Sequence, residues 1–169
     1  MTPFNGLLFF YIMALLLVPA VVLGLTNRPL KHYGFIFTVI MILFVFDTWE
    51  KRVTLIAFYV LETALVLLYS QIRKKSRSRP VLWLFIALSV APLAVAKLGA
   101  LVPRLNFIHL LGISYMTFRA VQVLIEMYDG LIIEVGLMEF SYFLLFFPSI
   151  SSGPIDRFRR FRADLEEVP

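Results

Sequence analysis

Cysteine is absent from this 169-residue chain and histidine occurs only twice. The first absence excludes disulfides, thiol nucleophiles and cysteine-ligated metals. The two histidines, His32 and His109, stand apart, without the Ser/Asp pattern of a triad or the spacing of metal ligands, so no metal site is expected. Charge is also scarce, at 16% of residues, where a soluble protein carries about a quarter. What replaces it is apolar: 60% of residues are hydrophobic and 17 are phenylalanine. Such a surplus has too few polar side chains to cover a water-facing surface.

The apolar residues fall into blocks at about 6–25, 33–46, 53–70, 81–98, 105–127 and 131–150. Residues 6–25 run for twenty positions without a charge, and a helix of that length rises about 30 Å, the thickness of a hydrocarbon core. These blocks predict an all-α, polytopic membrane protein. The first block lacks a basic segment before it and a small-residue cleavage site after it, so it reads as a retained span. The second block is short for a crossing, and Asp47-Thr-Trp-Glu-Lys-Arg52 after it reads as a tight turn into the third, with Trp49 and Tyr59 near the interface. Pro19 and Pro92 lie within the first and fourth blocks, where neighbouring helices must resupply the lost hydrogen bonds. Glu62 sits inside the third, expected to be protonated or hydrogen-bonded to another helix.

Five basic residues, Arg73, Lys74, Lys75, Arg77 and Arg79, lie between the third and fourth blocks. No aromatic side chains interleave with them, so a cytoplasmic membrane-proximal loop fits better than a nucleic-acid surface. The positive-inside rule then places loop 71–80 in the cytoplasm and the N-terminus outside. Carried onward, six alternating spans put Asp129–Glu134 inside and the cluster Arg157–Arg162 outside. The last placement conflicts with the same rule. A re-entrant or incomplete crossing by 131–150 is the alternative; simple alternation is the expectation.

The fifth block carries the chemistry-bearing face. Tyr115, Arg119, Gln122 and Glu126 follow steps of four, three and four residues and share one side of a helix. Charge at this depth must meet a partner helix, a cavity or a substrate path rather than lipid. Arginine remains protonated, so Arg119 needs acceptors, with Glu139, Glu62 and backbone carbonyls as the candidates. The face serves either as the scaffold of a polar interior or as the lining of a substrate path. Beyond it, Phe147-Pro-Ser-Ile-Ser-Ser-Gly-Pro-Ile-Asp-Arg157 breaks helix continuity, which marks Ser151, Ser152, Gly153, Pro154 and Arg157 as a candidate cavity rim. Arg157, Arg159, Arg160 and Arg162 then interleave with Phe158 and Phe161 in an interfacial pattern suited to anionic lipids or an anionic substrate.

Three stretches together resemble a known family. They are Leu111-Gly-Ile-Ser-Tyr-Met-Thr-Phe-Arg119, Glu126-Met-Tyr-Asp-Gly130, and Phe146-Phe-Pro148 leading to Ser152-Gly-Pro-Ile-Asp-Arg157. This order and spacing is similar to that of the membrane-bound O-acyltransferases, apart from Ser152, where alanine is usual. The first span and loop 71–80 look most like the branch that D-alanylates teichoic acids, with alginate-type polysaccharide O-acetyltransferases as the rival branch. The resemblance implies a partial ring or wall of membrane helices, to be completed by the remainder of the same acyltransferase. The family's catalytic histidine lies beyond the last motif and neither histidine here has its context, so no catalytic residue is expected in this chain. It implies further that no cofactor binds directly. D-alanine would arrive as a thioester on the phosphopantetheine of a D-alanyl carrier protein, bound for teichoic or lipoteichoic acid or another membrane component. A small transporter or channel subunit, or a purely structural scaffold, are the readings outside this family.

Overall fold

A computed structural model describes residues 7–26, 31–99, 112–147 and 157–166. Among these residues every regular element is a helix. In chain order they are α1 (Leu7–Leu25), α2 (Lys31–Val45), α3 (Trp49–Lys75), α4 (Arg79–Gly99), α5 (Ile113–Tyr128), α6 (Leu137–Leu145) and α7 (Phe158–Glu166). The chain is an all-α membrane protein.

Run length and charged boundaries explain the first four. The 27 residues of α3 rise about 40 Å, enough to cross the hydrocarbon core and both interfaces. Glu50 in its first turn and Arg73, Lys74 and Lys75 in its last complement the helix dipole. The expected turn Asp47–Arg52 is shorter than the sequence suggests. Helix α3 already begins at Trp49, after an extended Thr48, and Trp49 is exposed at its start. Arg52 explains the sharpness of this junction. From the first turn of α3 its Nε donates to the Phe46 carbonyl (2.7 Å) and its Nη2 to that of Leu43 (3.2 Å), satisfying the end of α2.

Helix α5 is the centre of the packing and touches α3, α4, α6 and α7. Met116, Ala120, Val123 and Leu124 are fully buried on it and share one core with Val66 of α3 and Phe140 and Leu144 of α6. Helices α3 and α4 meet through Tyr69 and Phe85, whose ring centroids are 5.3 Å apart. The Ser141 hydroxyl donates to the Leu137 carbonyl (2.6 Å) and so accepts from Tyr59 (2.6 Å), which ties α6 to α3. Helix α1 packs on α2, where the Tyr33 hydroxyl donates to the Leu16 carbonyl, and it exposes Leu7, Tyr11, Leu15, Val18 and Leu25. An apolar helix exposed nearly all round is suited to lipid rather than water.

Two helix ends set the geometry of the site. Helix α5 closes in a Schellman motif: Gly130 adopts φ 78°, its N–H donates to Met127, and the N–H of Leu131 donates to Glu126. Helix α6 then runs for only nine residues, about 13 Å of rise. The apolar block 131–150 therefore contains a short helix preceded by a connection, residues 131–136, without regular structure. Of the fifth block, residues 105–111 lie outside the described residues.

Candidate functional site

On the charged face of α5, Arg119 and Glu126 are buried and Tyr115 and Gln122 half-buried, but the four do not act as one group. Arg119 is 2% exposed. Its Nη1 donates to the carbonyl oxygens of Phe143 (2.9 Å) and Leu144 (3.2 Å), and its guanidinium carbon stands 5.6 Å from the Phe143 ring centroid. Both carbonyls belong to the last turn of α6, where intrahelical donors run out. The levels match: Arg119 lies nine residues before the end of α5 at Tyr128, and Leu144 lies seven after the start of α6 at Leu137. In an antiparallel pair both positions sit about 10–13 Å from the shared end. Of the acceptors expected for Arg119, the backbone carbonyls are the ones found. Glu62 instead accepts from Ser89 (2.7 Å), and Glu139 faces Arg162.

Glu126, one turn beyond Gln122, is 6% exposed, and its Oε1 lies 3.9 Å from Nε of Arg159. Arg162 Nε lies 3.5 Å from Glu139 Oε2, and its Nη1 donates to the Glu134 carbonyl at 3.5 Å. These are long ion pairs, and Oε2 of Glu126, Oε2 of Glu139 and Oε1 of Gln122 are buried without a hydrogen-bond partner. Tyr115 is half-buried at the opposite end of the face.

Helix α7 thereby packs along α6 and against the end of α5. Phe158 is fully buried with its ring 5.2 Å from that of Phe143, and Phe161 lies 5.3 Å from the rings of Tyr142, Phe143 and Phe146. Apolar positions 158 and 161 face the core, and 159 and 162, one step on, face the carboxylates. The sequence pattern showed this alternation and suited the arginines to anionic lipids or an anionic substrate; Arg159 and Arg162 lie instead against carboxylates of this chain. Between α7 and residues 131–134 lies a cleft of about 450 Å³, lined by Leu131, Ile132, Ile133, Glu134, Phe158, Arg159 and Arg162. No sequence signal marked 131–134 as a wall.

The basic residues at the α3–α4 junction bond to neighbouring helices. Arg73 Nε donates to the Met127 carbonyl (3.1 Å) and its Nη2 to that of Tyr128 (3.2 Å), so it caps α5 from a neighbouring helix. Arg77 lies 4.8 Å over the Tyr128 ring, and Arg79 Nε donates to the Tyr128 hydroxyl at 3.3 Å. Lys74 pairs with Glu134 at 2.7 Å, and that hydrogen bond holds the Glu134 carboxyl below the usual carboxylate range. The α3–α4 junction, the α5–α6 connection and α7 thus share one end of the bundle.

Arg157 is described and exposed just before α7, and its carbonyl accepts the N–H of Phe161 at 3.0 Å. The rest of the expected rim, Ser151, Ser152, Gly153 and Pro154, lies outside the described residues, as do His109 and the side chain of His32. Among the described residues no group of three or more His, Cys, Asp or Glu is arranged to hold a metal ion.

No protein-family model matches the chain. Individual proteins do. Over 99% of its length it is 36% identical to a teichoic acid D-alanyltransferase of Bacillus subtilis and 35% identical to one of Lacticaseibacillus rhamnosus. A third, from Streptococcus thermophilus, is 33% identical over the same share. The chain spans less than half the length of these relatives: 45%, 43% and 41% in turn. All three carry the name teichoic acid D-alanyltransferase. The chain is a homologue, across essentially its whole length, of part of the teichoic acid D-alanyltransferases.

Proposed function

We propose that the chain forms a wall of a membrane O-acyltransferase that carries D-alanine toward teichoic or lipoteichoic acid. The observation that carries this reading is the 36% identity to a teichoic acid D-alanyltransferase, sustained over 99% of the chain. The donor in this reading is D-alanine held as a thioester on the phosphopantetheine arm of a D-alanyl carrier protein. An acceptor hydroxyl attacks the thioester carbonyl, its proton passes to a base, and the thiol leaves; a donor group must stabilise the developing oxyanion. The chain's share is architectural. Arg119 holds the end of the short helix α6 inside the membrane, and α7 packs its phenylalanines against the same helix. The base belongs to the remainder of the acyltransferase.

The shared end of the bundle is the cytoplasmic one in this proposal. It gathers the five basic residues at the α3–α4 junction with the arginines of α7, in keeping with the positive-inside rule. Helix α6 then enters the membrane without making a sixth full crossing, and loop 71–80 and α7 meet the anionic lipids of one leaflet. The N-terminus, at the start of α1, is placed outside. Incorporation of labelled D-alanine into teichoic acid, measured with charged carrier protein and the longer protein that contains this chain, tests the reading. Incorporation that depends on Arg119 supports it; a folded preparation that transfers nothing overturns the substrate assignment.

A further inference from the structure

Glu62 stands at the midpoint of α3, thirteen residues from Trp49 and thirteen from Lys75, about 20 Å from either end. It is 0% exposed. The Ser89 hydroxyl of α4 donates to its Oε2 at 2.7 Å, while its Oε1 is buried without a hydrogen-bond partner. The neighbouring Thr63 is also buried, and its hydroxyl has no partner either.

The charged groups on the elements packed around Glu62 are engaged elsewhere. On α5, Arg119 donates to the α6 carbonyls and Glu126 faces Arg159. On α6, Glu139 faces Arg162. On α4, Arg79 reaches Tyr128 and Lys97 is exposed near the far end. On α3 itself the charges lie at the two ends, where Lys51 pairs with Asp47, Arg52 and Arg73 cap α2 and α5, and Lys74 pairs with Glu134; Glu50 and Lys75 are exposed. Among the described residues an ionised Glu62 is therefore left with one hydrogen bond and no counter-ion. Taking up a proton relieves that desolvation.

We propose that Glu62 is an intramembrane proton-binding site, neutral at neutral pH, with the Ser89 hydroxyl hydrogen on Oε2 and its own proton on Oε1. As a neutral acid it joins α3 to α4 through a polar contact without bringing net charge into the bilayer. Loss of the proton places a bare anion between the two helices and loosens their contact. The site depends on the α3–α4 packing and not on the proposed D-alanylation, so the two stand or fall separately.

Infrared spectroscopy of the purified protein in lipid nanodiscs reads the protonation state directly. At neutral pH the wild type is expected to show a carbonyl stretch of a protonated carboxylic acid that Glu62→Gln lacks. Glutamine keeps a carbonyl oxygen for Ser89 and stays neutral, so this variant is expected to fold and melt with the wild type. Its stability relative to wild type should rise as pH is raised, because only the wild type holds a proton in the folded state that the unfolded chain releases. A carboxylate band in place of the acid band overturns the proposal. So does a Glu62→Gln protein that fails to fold or melts far below wild type, since that means the anion is required.

Discussion

The Nη1 of Arg119 lies 2.9 Å from the carbonyl oxygen of Phe143, so a charged side chain of one helix finishes the backbone bonding of another. This contact explains how α6 can stop after nine residues inside an apolar bundle. A helix end within hydrocarbon exposes carbonyls that no water can reach, and each must find a donor from the protein.

Arg119→Leu should accordingly destabilise the protein by about 2–3 kcal/mol, the scale of charge-assisted hydrogen bonds to backbone, with two carbonyls left orphaned. Arg119→Lys should recover only part, because an ammonium lacks the guanidinium's planar fork of donors. Thermal melts of both variants in detergent check this. Wild-type melting of Arg119→Leu would show that the α6 end finds another donor.

Gly34 of α2 is in close contact with Tyr142 of α6, and a Cβ built there collides with the Tyr142 hydroxyl. Alanine is the better helix former by about 1 kcal/mol, yet overpacking costs about 1–3 kcal/mol, so Gly34→Ala should destabilise on balance. Combined with Tyr142→Phe, which removes the hydroxyl, the loss should shrink by about 1 kcal/mol. A double-mutant cycle on melting temperature measures the coupling. Strict additivity would deny the contact.

The shared end of the bundle makes a topological prediction. The natural chain has no cysteine, so Ser76→Cys and Ala163→Cys give single reactive sites at exposed positions. Both should react with a membrane-impermeant maleimide from the same side, the cytoplasmic one. Simple alternation of six spans puts Ala163 on the other side, so labelling from opposite faces would restore that arrangement.

The Lys74–Glu134 pair should titrate at low pH. Its hydrogen bond lowers the folded-state pKa of Glu134 from 4.5. A lowered carboxyl pKa contributes stability that is present above the unfolded value and lost as pH falls through the folded one. Carboxyl carbon shifts followed by NMR should show Glu134 titrating below its ordinary value, and returning toward it in Lys74→Gln. An unshifted midpoint in the wild type would count against the pair.

Composition and run length alone determine that the chain is a helical membrane protein. Helices α1 to α4 lie close to the expected blocks because charges and turn residues bound long apolar runs. The burial of Arg119 and Glu126 was legible too, since helical spacing puts them on one face of an apolar segment. Their partners were not. Arg119 takes carbonyls some two dozen positions onward, and Glu126 and Glu139 take arginines from α7 rather than each other's neighbours. Nor could hydrophobicity show where α6 stops: Phe146 and Phe147 continue the apolar run past its end at Leu145. A helix ends inside a membrane only if something satisfies its last carbonyls, and that donor comes from another helix. Which carbonyls Arg119 meets, and where the arginines of α7 fall, are decided by packing between segments distant in sequence.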